Sequence, residues 1–242
     1  MTERYTSDKE SVNPAIPDPM RISVGEGERR LPVYLLLDTS GSMTGAPIEA
    51  VRRGVEQFRL EVQGDTFALE TVWVGIITFG GRAEFITRGL VPFGQFSPPQ
   101  ISAEGQTPLG QALWLLIESL DKDLRRPVKG GPKGDWRPLV FILTDGEPTD
   151  DWREPREKML QREQARVCRV VTVGCGPYIN QQNLRDIAIG DTFNMGNDDR
   201  SFAQFFVYMT TTVLEESRSC SQTGRTMDKT TQPPADFIQP VF

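Results

Sequence analysis

Two carboxylates and three hydroxyls stand out by residue type and spacing. Asp38, Ser40 and Ser42 form an Asp-x-Ser-x-Ser run, Thr107 lies in Gly105-Gln106-Thr107-Pro108, and Asp145 lies in Thr144-Asp145-Gly146. All five offer oxygen, and an all-oxygen set suits a hard divalent cation such as magnesium, calcium or manganese. Alternate positions on an extended loop project to the same side, so Ser40 and Ser42 can reach one ion, and Gly41 between them relaxes the turn. Thr107 precedes a proline and a helix start, where backbone amides also favour anions. Hydroxyls are weak ligands. A cation held by two carboxylates and three hydroxyls stays electrophilic and partly hydrated, ready to take a further carboxylate from a partner or ligand.

The elements that must position these groups are legible. Val33 to Leu37 is wholly apolar and ends on Asp38; Leu139 to Thr144 ends in the same way on Asp145. Both read as buried strands. As parallel neighbours they bring both acids to one edge of the sheet, where open α/β folds bind ligands. The first strand spans Leu31 to Asp38. Pro47 then opens a helix whose apolar face is Ile48, Val51, Val55, Phe58 and Val62. Leu69 to Phe79 reads as the second strand, Gly80-Gly81 as a tight turn, and Arg82 to Thr87 as an antiparallel hairpin partner. Pro92 to Ser102 reads as irregular. Leu109, Ala112, Leu113, Leu116, Ile117 and Leu120 mark the next helix. A strand over 138–144, a helix over 152–166, a strand over 169–174, a short helix over 181–188, an edge strand over 191–195 and a last helix over 201–216 follow. Alternating strands and helices predict an α/β fold, Rossmann-like and doubly wound, with a mostly parallel sheet and helices on both faces. Residues 1–28 read as a flexible arm, 29–216 as the domain, and 217–242 as a disordered tail.

Composition narrows the function. The chain has 242 residues, 38% hydrophobic and 25% charged, enough for one sizeable domain. A net charge of −6 argues against non-specific nucleic-acid binding. There is no histidine, which excludes Ser-His-Asp and Cys-His nucleophile systems and His-ligated zinc. Cys168, Cys175 and Cys220 give no disulfide framework and read as buried thiols, with Cys168 and Cys175 on opposite faces of a strand. No apolar run approaches a membrane span, and the N-terminus lacks the apolar core of a signal peptide, so a cytoplasmic location is expected.

The constellation resembles the metal-ion-dependent adhesion site of von Willebrand factor A domains, carried by Asp38-Thr39-Ser40-Gly41-Ser42, Thr107 and Thr144-Asp145-Gly146. The resemblance implies a mostly parallel six-stranded sheet with one antiparallel edge strand and Mg²⁺ at its carboxyl edge, with Ca²⁺ or Mn²⁺ as alternatives. It implies that Ser40 and Ser42 ligate the ion directly and Thr107 directly or through water. Asp38 and Asp145 would act largely through water, and a partner protein's Asp or Glu would complete the shell. Residues 35–43, 105–110 and 143–150 further resemble bacterial tellurium-resistance TerY-like proteins. That likeness implies an intracellular adaptor linked to a Ser/Thr kinase and a PP2C-type phosphatase in metal stress. No enzyme is expected. The alternative is a metal-assisted phosphohydrolase or phosphotransferase, since strand-end aspartates and Mg²⁺ suit phosphoryl chemistry. Against it, the chain has no Walker A motif, and Ser40 stands where aspartyl-phosphate enzymes carry a second Asp.

Other features have plainer readings. Glu147, Asp150 and Asp151 fit the start of the following helix. Gly174-Cys175-Gly176-Pro177 fits a strand-to-helix turn better than a dinucleotide loop. Arg125, Arg126 and the 129–133 segment read as a solvated loop. Trp73 and Trp114 fit core positions, and Trp136 and Trp152 an interface. The segment 233–242, with Phe237, Ile238, Val241 and Phe242 among prolines, is a candidate docking segment.

Overall fold

The computed structural model describes residues 29–161, 168–177, 179–227 and 239–240. In chain order it forms β1 (Leu31–Asp38), α1 (Ala46–Gln63), α2 (Thr66–Thr71), β2 (Val72–Gly80), β3 (Arg82–Phe85) and β4 (Val91–Pro92). Then come α3 (Leu109–Lys122), β5 (Leu139–Thr144), α4 (Arg153–Gln161), β6 (Arg169–Cys175), α5 (Gln181–Ile187), β7 (Thr192–Met195), α6 (Asp199–Thr223) and β8 (Gln239–Pro240). Short 3-10 turns occupy Gly41–Met43 and Phe93–Gln95.

The strands lie in the order β3-β2-β1-β5-β6-β7-β8, with β4 also on β2. β2, β1, β5, β6 and β7 are mutually parallel, while β3 and β4 run antiparallel to β2 and β8 antiparallel to β7. Every residue of β1, β5 and β6 is buried, which is why these segments read as continuous apolar runs. Alternation divides β1 between two cores. Leu31, Val33, Leu35 and Leu37 face the side covered by α1 and α6, and Tyr34 and Leu36 face the side covered by α3, α4 and α5. Cys175 and Cys168 fall in opposite cores, as their odd separation predicts. Strand order reverses at β1, since β2 lies on one side and β5 on the other, so the loops after β1 and β5 flank the crevice of the fold.

Several expectations are corrected. Residues 66–71 are helical, because the Asp65 carboxylate accepts from the Ala68 N–H and caps a turn before β2 begins. The sheet carries two further two-residue strands, β4 and β8, beyond the six expected. The last helix runs to Thr223, closed by Gly224 in the left-handed region (φ 68°), and the Glu216 carboxylate accepts from the Met227 N–H. Residues 217–227 are therefore ordered. Of the candidate docking segment, Gln239 and Pro240 lie along the β7 edge. Its other residues, the 1–28 arm and residues 162–167 lie outside the described residues.

Three of the four tryptophans exchange roles, while Trp73 stays half-buried in β2. Trp152 is 4% exposed and Trp136 is buried beneath the Arg29 guanidinium, whose Cζ lies 3.4 Å from the ring centre. Trp114 is 39% exposed, because it falls outside the Leu109–Leu113–Leu116–Leu120 stripe of α3.

Candidate functional site

β1 delivers Asp38 at its last residue, fully buried, and β5 delivers Asp145 just past its end. Parallel pairing of Val33–Leu37 with Leu139–Leu143 puts the two strand ends side by side. The loop leaving β1 is turned by the 41–43 3-10 segment, which presents Ser40 and Ser42 over the same edge.

The side chains form one hydrogen-bonded chain. The Thr144 hydroxyl donates to Asp38 Oδ2 at 2.6 Å, and the Ser40 N–H donates to Asp38 Oδ1 at 2.8 Å. The Ser40 and Ser42 hydroxyls lie 3.0 Å apart, and Ser42 Oγ donates to Asp145 Oδ1 at 2.7 Å. Asp38, Ser40, Ser42 and Asp145 thus come together through space. Thr107 is buried beside them. Its carbonyl accepts from the Leu109 and Thr149 N–H groups, each at 2.9 Å, which ties it to the loop after Asp145. Its hydroxyl lies over the 145–146 turn, where a Cβ on Gly146 would come within 3.7 Å of it. Among the described residues it takes no part in the side-chain chain.

The backbone fixes the loops to one another. Gly41 N–H donates to the Gly105 carbonyl at 2.9 Å, Gly81 N–H to the Gln106 carbonyl at 2.8 Å, and Glu104 N–H to the Thr39 carbonyl at 2.8 Å. Gly105 has φ 68°, and a Cβ there would lie 2.5 Å from Gly81 Cα, so only glycine lets the Thr107 loop approach this closely.

Burial pushes the Asp38 carboxyl above the usual carboxylate range. The Ser40 and Thr144 hydrogen bonds oppose the rise, and the charge of Asp145 adds to it. Burial likewise raises Asp145, with the Ser42 bond opposing. The same pair of charges adds to the burial that holds the Cys175 thiol protonated. Among the described residues neither Asp38 nor Asp145 is ion-paired, and no three His, Cys, Asp or Glu side chains form a group that could by itself hold a metal ion. The hydroxyls therefore define the cluster. Its donors are all oxygen and its net charge is negative, which fits a hard divalent ion.

Two contributors lie outside the five expected residues. Thr144 orients Asp38, and its signal was present as the hydroxyl beside Asp145. Asp150 belongs to α3 rather than to the helix that follows it in sequence: its carboxylate accepts from the Gly110 and Gln111 N–H groups at 2.8 and 2.9 Å. It thereby caps the helix that follows Thr107. Asp151 does cap the next helix start, accepting from the Arg153 N–H, while Glu147 accepts from Asn183. The 174–177 segment is the strand-to-helix turn expected.

Known proteins agree with this architecture. The sequence model of the von Willebrand factor type A domain matches residues 33–208. No curated protein sequence matches the chain. Among solved structures, a von Willebrand factor type A protein from Catenulispora acidiphila superposes with a TM-score of 0.56 at 17% identity, over 77% of this chain and 43% of that one. The pilus adhesin SpaC from Lactobacillus rhamnosus GG gives 0.59 at 17% identity, over 78% and 30%. Proximal thread matrix protein 1 from the mussel byssus, solved with a zinc-occupied MIDAS motif, gives 0.54 at 17% identity, over 78% and 48%. The chain spans less than half the length of each of these proteins. With the parallel sheet, its switch point and the match over most of the chain, the protein belongs to the von Willebrand factor type A domain family.

Proposed function

We propose that the protein is a metal-dependent protein-interaction module rather than an enzyme, and that Asp38, Ser40, Ser42, Thr107 and Asp145 hold a divalent cation, Mg²⁺ first and Ca²⁺ or Mn²⁺ as alternatives. The observation that carries this reading is the convergence of two buried carboxylates, un-ion-paired among the described residues, with the Ser40, Ser42 and Thr144 hydroxyls in one chain of contacts of 2.6–3.0 Å. Bound there, the ion supplies an electrophilic position for an Asp or Glu of a partner protein. Asp38 and Asp145 supply the charge, the serines supply weak neutral oxygens, and the interlocked 39–42 and 104–107 loops keep the donors in place.

The finer reading follows from the sequence motifs: a bacterial, cytoplasmic adaptor of the TerY-like type, working with a Ser/Thr kinase and a PP2C-type phosphatase in tellurite or metal stress. No helix among the described residues is long and apolar enough to cross a membrane.

The test is thermal unfolding in chelator and after addition of Mg²⁺, Mn²⁺, Ca²⁺ or Zn²⁺, for the wild type and Asp145→Ala. Zn²⁺ joins the series because it occupies the motif of the mussel protein. An ion bound only by the folded state stabilises it by about 2.7 kcal/mol at a hundredfold excess over its dissociation constant. A shift in the wild type that the variant lacks supports the site. Equal behaviour of the two proteins with every ion sinks it.

A further inference from the structure

Between α3 and β5, residues 125–133 read Arg-Arg-Pro-Val-Lys-Gly-Gly-Pro-Lys. They carry four cations and no acid in a chain of net charge −6. All nine residues are exposed. By sequence this is a solvated loop; in the structure it is a held one. Its stem is closed by Arg125 N–H donating to Asp135 Oδ2 at 2.8 Å and Asp135 N–H donating to the Arg125 carbonyl at 2.9 Å. Arg30 clamps Asp135 from below through Nε to Oδ1 at 2.8 Å and Nη2 to Oδ2 at 2.5 Å, with both side chains buried. Arg29 Nε donates to the Gly134 carbonyl at 2.7 Å. Gly134 packs so tightly that a Cβ there would lie 2.7 Å from the Arg125 carbonyl oxygen. The tip is folded by Val128 N–H to the Pro132 carbonyl at 3.1 Å and Gly131 N–H to the Val128 carbonyl at 2.9 Å.

We propose that the Arg125–Lys133 loop is a second, metal-independent docking surface that captures an acidic segment of a partner protein. The ordering entropy of the loop backbone, roughly 1–2 kcal/mol per residue, is met on folding, so Lys129 and Lys133 are carried on a preorganised turn. Charge complementarity selects carboxylates. Val128, 62% exposed in the middle of the cations, adds an apolar contact that fits a side chain of a polypeptide. The loop sits at the start of β5, at the sheet edge opposite Asp38 and Asp145, so one molecule can grip two partners at once.

This inference does not rest on the metal reading, and chelator separates the two. The full chain, in EDTA, is titrated into a fluorescein-labelled oligoglutamate peptide carrying a central leucine, and anisotropy is followed. Saturable binding is expected in EDTA, weakening several-fold as salt rises from about 50 to about 300 mM. Lys129→Glu/Lys133→Glu is expected to lose about tenfold or more in affinity, while keeping its unfolding temperature and any metal-dependent shift. Three results would overturn the proposal: no peptide binding by the wild type, equal affinity in the double variant, or tighter capture of single-stranded DNA or phosphatidylserine vesicles than of the peptide.

Discussion

The two edges of the sheet both bury acids, and they treat them differently. At the edge where β1 begins, Asp135 meets a fixed guanidinium from Arg30 and a backbone N–H from Arg125. At the edge where β1 ends, Asp38 and Asp145 meet the Thr144 and Ser42 hydroxyls and the Ser40 N–H, and no cation among the described residues. An acid paired with a resident arginine is complete as structure. An acid met by neutral dipoles alone keeps its demand for positive charge, which a diffusible ion can satisfy. The first edge therefore contributes to the fold, and on the proposed reading the second gives up stability that a bound ion would restore.

The sharpest way to break this comparison is Asp135→Ala. It strands Arg30 in a buried site and removes the acceptor that closes the 125–134 loop. The expected loss is about 3–5 kcal/mol in urea unfolding. A loss below about 1 kcal/mol would mean the two edges are energetically alike.

Next in size is the pH dependence of the other edge. Burial raises the folded-state pKa of Asp38 and Asp145 above the ordinary value of 3.8. Their contribution in chelator is therefore fully present below that value and is lost as pH rises through the raised one. Wild type should lose stability from acid to neutral pH relative to Asp145→Asn, so that in chelator the variant melts higher at neutral pH and the advantage fades in acid. Saturating Mg²⁺ should reverse the order, because the ion needs the ionised acids. Melting curves across this range, superimposable for the two proteins in chelator, would remove the argument that the site is unfinished without its ion.

The smallest effect sharpens rather than breaks the comparison. Asp150→Ala removes the cap from α3 and should cost about 1 kcal/mol in chelator. Because α3 follows Thr107, the variant should also need more Mg²⁺ to reach the same thermal shift. An unchanged Mg²⁺ titration would confine Asp150 to the helix.

Much of this was legible in the sequence, for a physical reason. β1, β5 and β6 are buried on both faces, so their apolar runs could be read without knowing their neighbours, and each strand end located an acid or a turn. The spacing of Ser40 and Ser42 is local, and so was their convergence. What escaped depends on distant residues. Trp136 is buried by Arg29, and Asp150 caps a helix forty positions earlier in sequence. The 66–71 helix carried a local signal in Asp65, outweighed by the apolar run that follows. Trp114 was misplaced by its chemistry, since the 3.6-residue spacing of α3 already excluded it from the buried stripe.

The interlocking of the 39–41, 81 and 104–106 backbones has a consequence for motion. Three amides, Gly41, Gly81 and Glu104, all donate across the same seam. None of these bonds can open far while the other two hold, so the seam should release as one cooperative unit. Hydrogen–deuterium exchange would then report a single shared protection factor for the three sites, and ion binding on one side of the seam would slow exchange on the other.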